Sequence, residues 1–203
     1  MSQQAPTHTG WTALLPEHVD TLGRVDYRGF QQDSAQLDAY LSELSANRPT
    51  ASWSREERLA FWMNAYNAFT VKLIVDHYPV SGIKDIRKGI PMVNSVWDIK
   101  FFSIGDERMD LNTIEHDILR REFNEPRIHF AIVCASVSCP KLRNEAFLPD
   151  RLEQQLQQQA IDFINDPRRN DIEEEEIRIS SIFKWFGKDF TKDGGTIKDY
   201  IAR

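Results

Sequence analysis

The sequence predicts an α+β fold, a helix-rich single domain in which a central buried helix packs on a small β-sheet. Three observations carry that prediction. Residues 59–75 are apolar almost all round the helical wheel, as in a helix covered on every side. Helical spacing recurs on either side of it, at Leu37/Leu41/Leu44 and at Leu152/Leu156/Ala160/Phe163. Strand-like stretches at 97–104, 128–134 and 177–182 are too few and too widely spaced for a doubly wound sheet.

The elements follow in order. Residues 1–10 read as a disordered or tag-like N-terminus, and 11–203 as the globular domain. Trp11 to Val19 is a short opening helix, and Val25 to Phe30 is a turn region. Ser34 is the expected N-cap of a helix running to Leu44. Ser54 and Glu57 form a capping box that opens the longest helix, Arg55 to His77, and Pro79 stops it. Ser81 to Ser95 is a turn-rich connector. Trp97 to Ile104 is a strand turned at Gly105-Asp106, and Asn112 to Phe123 is a helix with Asn112 and Glu115 as its capping pair. Ile128 to Val133 is β-branched and aromatic and ends at small residues, which predicts a buried strand. Pro149 to Ile164 is a Gln-rich helix, and Ile177 to Ile182 alternates like a strand. The acidic run Glu173 to Glu176 reads as a solvated turn before that strand, and a last helix follows Gly194-Gly195.

Composition narrows the function classes. With 203 residues, 41% hydrophobic and 28% charged, the chain has the make-up of an ordinary globular domain. A net charge of -6 argues against nucleic acid and against anionic membranes as partners. No apolar run reaches the length of a membrane span, so no integral membrane association is expected. Met1 to Gly10 lacks the pattern of a signal peptide. No cofactor is expected. The spacing His129-x4-Cys134-x4-Cys139 matches no common zinc pattern, so no metal is expected either. Nothing in the sequence sets an oligomeric state.

Chemistry concentrates at one place. Arg127 to Pro140 delivers both cysteines, Cys134 and Cys139, to one short polar loop. A thiol at the end of a buried strand suits a thiol-dependent hydrolase or acyl transferase, because even a small thiolate fraction is strongly nucleophilic. Cys134 is then the nucleophile. In a regular strand His129 lies on the opposite face from Cys134, so it is a poor base. His116 is better placed, since it flanks the Leu111/Ile114/Ile118 stripe. Glu115, Asn64 or Asn67 would orient the imidazole; the two amides share one face of the long helix at i and i+3. Ser136 and Ser138 would offer hydroxyls to an oxyanion, and Arg127 and Arg143 would hold a substrate carboxylate, with a small molecule or peptide as partner. The rival class is a non-catalytic binding or scaffold domain with a structural cysteine loop, since buried cysteine is commonly inert packing.

Three blocks resemble a known family: Leu59-Ala-Phe-Trp-Met-Asn-Ala-Tyr-Asn-Ala68, Ile114-Glu-His-Asp-Ile-Leu-Arg120, and Arg127 through Cys139-Pro140. They look like the hallmark blocks of the domain of unknown function 547, and the resemblance extends over nearly the whole chain. Bacterial members are commonly exported single-domain proteins. The resemblance therefore implies a periplasmic or secreted location for a mature chain, and a cytoplasmic one otherwise. Some plant relatives keep residues matching Cys134, Glu115 and His116 but not Cys139, which favours Cys134 and His116 as the working pair.

Overall fold

Three short helices wrap a fourth. In the computed structural model, described over residues 4–87, 95–134, 139–172 and 177–202, α1 (Thr9–His18), α2 (Tyr27–Gln32) and α3 (Ser34–Ala46) precede α4 (Arg55–Val75). Helices α2 and α3 pack directly on α4, and α1 packs on both of them. The Ser54 capping box forms: Oγ accepts from Glu57 N at 3.1 Å, and the Glu57 carboxylate accepts from Ser54 N at 2.6 Å. Sixteen of the 21 residues of α4 are buried, so its near-uniform apolar surface is accounted for by cover on all sides.

Three local expectations at the N-terminal end give way. Residues 5–8 are not a loose tail. Ala5 packs on the core, Pro6 is buried, and the buried His8 places Nδ1 2.8 Å from Tyr40 Oη. The stretch 25–30 is a helix entry and not merely a turn, because Asp26 Oδ1 accepts from Arg28 N and Gly29 N at 3.1 and 3.0 Å. Ser34 is the first helical residue of α3; the cap position belongs to Asp33.

The β structure is smaller than the sequence suggests. Strands β1 (Phe102–Ile104) and β2 (Glu107–Met109) form an antiparallel hairpin turned at Gly105-Asp106, where Gly105 has φ +61°. Phe69 of α4 stacks on Phe102 of β1 with ring centroids 3.9 Å apart, which ties the hairpin to the central helix. Residues 96–98 form a 3-10 turn, so the strand begins five residues later than expected. Strands β3 (Asp171–Ile172) and β4 (Ile177–Arg178) make a second, separate hairpin. The remainder of the expected third strand instead enters a helix, Ser181–Trp185, capped by Ser180. The acidic run 173–176 lies outside the described residues.

The largest correction is at 128–134. Ile128–Ala131 is one helical turn, not a strand: Ile132 N donates to Ile128 O at 3.0 Å, and the turn starts just after Pro126. A short apolar run does not by itself distinguish a buried strand from a buried helical turn. Among the described residues no neighbouring strand supplies a ladder. The Asn67 side chain stands in for one, donating to Ala131 O and accepting from Val133 N, both at 3.0 Å.

Leu152–Ile164 is the Gln-rich helix, starting three residues after Pro149. Against it the chain closes a second cluster of Phe130, Phe163, Phe183 and Phe190, roofed by the C-terminal helices Ser181–Trp185, Gly187–Phe190 and Ile197–Ile201. The architecture is a helix-rich α+β domain.

Candidate functional site

A cleft of about 600 Å³ opens between the two clusters. One wall is the helix that carries Glu115 and His116. Between Thr113 and Leu119 it is wound as a π-helix, with Arg120 N donating to Glu115 O, a geometry frequent at functional sites. Its cap is Asp110, whose Oδ1 accepts from Thr113 N at 2.7 Å; Asn112 bonds Asp98 instead. Ile114 and Ile118 point into the core, Glu115 is half-buried, and His116 is exposed at the cleft. The other walls are the 128–134 segment and the C-terminal roof, which contributes Phe186 and Trp185, 63% exposed at the rim.

The two cysteines are joined. Cys134 and Cys139 form a disulfide with Cα atoms 6.0 Å apart, and both line the cleft, Cys134 half-buried and Cys139 only 5% exposed. In this form neither sulfur is a thiolate.

Helical winding at 128–131 removes the alternation that set His129 apart from Cys134, and His129 also lines the cleft. It is 2% exposed and stacked on Phe186 at 3.9 Å. Its Nε2–H donates to Asp189 Oδ2 at 2.8 Å, and Arg120 Nε donates to the same oxygen at 2.7 Å. Burial pulls the imidazole down to about 4, against the opposing pull of Asp189. For Asp189 burial acts upward, but the donors Arg120 and His129 outweigh it and hold the carboxyl below its ordinary range. His129 is therefore neutral at pH 7, with its proton on Nε2. Its Nδ1 lone pair is buried without a partner among the described residues.

His116 is the mirror case. Arg120 Nη1 lies 3.0 Å from its Nδ1, and a guanidinium only donates, so Nδ1 accepts and the ring proton sits on Nε2. That tautomer offers the cleft a donor, not a base. Glu115 bonds Tyr66, whose Oη donates to Oε2 at 3.3 Å, and not His116. Burial raises the Glu115 carboxyl above its ordinary range, only partly offset by His116 and Tyr66. Arg120 also lies over the Phe186 ring at 4.9 Å, so Phe186 and Asp189 organise both histidines from the far end of the chain.

The remaining expected site residues lie elsewhere. Asn64 and Asn67 spend both amide atoms on backbone, Asn64 donating to Phe147 O at 2.8 Å and accepting from Phe147 N at 3.0 Å; neither orients an imidazole. Arg127 is clamped between Glu125 and Glu153 at 2.7 Å, and Arg143 between Glu145 and Gln159, so both are structural ion pairs outside the cleft. Ser136 and Ser138 lie outside the described residues. Among the described residues no three His, Cys, Asp or Glu side chains converge to hold a metal ion, and no helix is long and apolar enough to cross a membrane.

Fold and site thus define a helix-rich α+β domain built around one cleft with a disulfide in its wall. The chain belongs to the family described as "Protein of unknown function, DUF547", whose model matches residues 50–164. The match runs from just before α4 to the end of the Leu152–Ile164 helix, somewhat over half of the chain and not nearly all of it. No curated protein and no solved structure matches the chain.

Proposed function

We propose that the domain is a binding module for a small molecule or short peptide, seated in the cleft of Glu115, His116 and His129. One observation carries this reading: a largely apolar, aromatic-walled cleft is lined by His129, whose buried Nδ1 no described protein group satisfies. Buried polar atoms are seldom left unpaired, and a few convergent polar groups in an apolar pocket are the ordinary make-up of a ligand site. A ligand N–H or O–H would meet Nδ1 of His129, while Trp185 offers a flat apolar face at the rim. A fragment screen by ligand-observed NMR tests this. Hits should lose affinity in Trp185→Ala and Glu115→Gln; no hits, or hits indifferent to both changes, would overturn it.

A second reading, the thiol-dependent hydrolase or acyl transferase, draws on the sharing of one cleft by Cys134, His116 and Glu115. It requires the reduced protein and a different His116 tautomer. In reduced protein at pH 6, iodoacetamide should then modify Cys134 well before Cys139, and His116→Ala should slow that reaction. Slow, equal labelling of both thiols would end it. The disulfide also supports the periplasmic or secreted location that the family resemblance implies, because such bonds persist in oxidising compartments.

A further inference from the structure

We propose that the cleft takes a thiol-bearing ligand and that the Cys134–Cys139 pair exchanges disulfides with it, Cys134 being attacked and Cys139 leaving. The proposal rests on the binding reading above and names its ligand class.

The first argument is redundancy. A bond between cysteines five residues apart closes a short loop and restrains the unfolded chain less than a long-range bridge would. The two flanks are held without it. Asn67 grips Ala131 O and Val133 N just before Cys134. Beyond the loop, Arg169 donates to Cys139 O at 2.9 and 2.6 Å, and Gln159 donates to Lys141 O at 2.9 Å. Both ends are pinned by groups that reduction leaves untouched, so the opened pair stays close enough to close again.

The second argument is asymmetry. Both cysteines line the cleft, and Cys134 is the less buried of the two, the one an incoming thiolate reaches first. Cys139 is 5% exposed and held by its carbonyl. Exchange needs one accessible sulfur and one retained behind it, since rates depend on which sulfur can be attacked. Glu115, held in a protonated form to higher pH than an ordinary carboxyl, lies in the same cleft as a proton carrier.

The step balances. A ligand thiolate attacks Cys134 Sγ, the Cys134–Cys139 bond breaks, and Cys139 leaves as a thiolate that takes up a proton. A second ligand thiolate, from the same molecule or another, then attacks the ligand sulfur of the mixed disulfide and releases Cys134 as a thiolate. Two ligand thiols are oxidised to one disulfide, and the protein pair is reduced by the same two electrons.

The test uses the full chain and glutathione as probe. Cys139→Ser given oxidised glutathione at pH 7 should gain one adduct, at Cys134, at least roughly tenfold faster than Cys134→Ser gains one at Cys139. Reduced glutathione should open the parent disulfide in the folded protein, and a cleft-binding fragment should slow that opening. The Cys134→Ser/Cys139→Ser double variant should melt within a few degrees of the parent, which separates lost exchange from lost fold. Equal adduct rates, a disulfide that opens only on unfolding, or exchange indifferent to the fragment would each overturn the proposal. If exchange fails while the fragments still bind, the binding reading stands without it.

Discussion

Polar side chains of α4 and polar side chains of the cleft lie on two sides of the 128–134 segment. On the α4 side, Asn64 and Asn67 use donor and acceptor alike, each closing a pair of backbone bonds to a remote loop. On the cleft side, and among the described residues, His129 has one nitrogen matched and one bare, and Glu115 has one long bond, to Tyr66. Asn64, Asn67 and His129 are all shut away from water, and Glu115 is half-buried. Completed bonds make a polar group a fastener; incomplete ones leave it able to meet something else. Depth alone does not distinguish the two.

The sharpest way to break that comparison is to cut a fastener. Asn67→Ala strands Ala131 O and Val133 N together, so unfolding free energy from urea titration should fall by about 4 kcal/mol. A loss under about 1 kcal/mol would mean the backbone finds other partners. The next effect is pH dependence. His129 and His8 are both held near 4 by burial, against 6.5 for an imidazole in water. Between those values the unfolded chain binds protons that the folded chain refuses. Stability is therefore full above about pH 6.5 and is lost as pH falls through about 4, by on the order of 3 kcal/mol for each histidine. His129→Phe should remove about half of that slope; an unchanged profile would show that His129 titrates normally.

Smaller changes are expected where bonding is incomplete or redundant. Removing the disulfide in the double serine variant should cost about 1–2 kcal/mol by thermal melting. A much larger loss would make it a staple. Glu115→Gln and Trp185→Ala should leave stability within about 0.5 kcal/mol of the parent while weakening ligand binding. Destabilisation of the fold by either would move that residue to the fastener side.

What the sequence made legible follows sequence distance. The Ser54–Glu57 capping box and the Gly105-Asp106 turn are encoded within four residues, and both form. The 128–134 segment misleads because β-branched residues favour strands only where a ladder is on offer, and the surrogate ladder is an amide 64 residues upstream. In the same way Cys134, Glu115 and His116 are visible as candidates, but the tautomers that decide their roles are not. Those depend on Arg120, Phe186 and Asp189, the last bonded to His129 across 60 residues. His129 itself was discounted by a periodicity argument that its helical turn does not obey.

The asparagine clamps also bear on how the chain comes to fold during synthesis. Asn67 finds its partners 64 and 66 residues further on, and Asn64 finds its own 83 residues further on. While α4 is newly made, the groups that bond these amides in the fold are not yet translated, and non-local closure is slow. A nascent chain that stops short of Phe147 cannot seal its apolar core around α4 without stranding at least Asn64. Such a fragment leaves a long greasy helix open to chaperones and proteases. The two amides thus act as a length gauge, their bonds closing only after the chain from Ala131 to Phe147 has arrived.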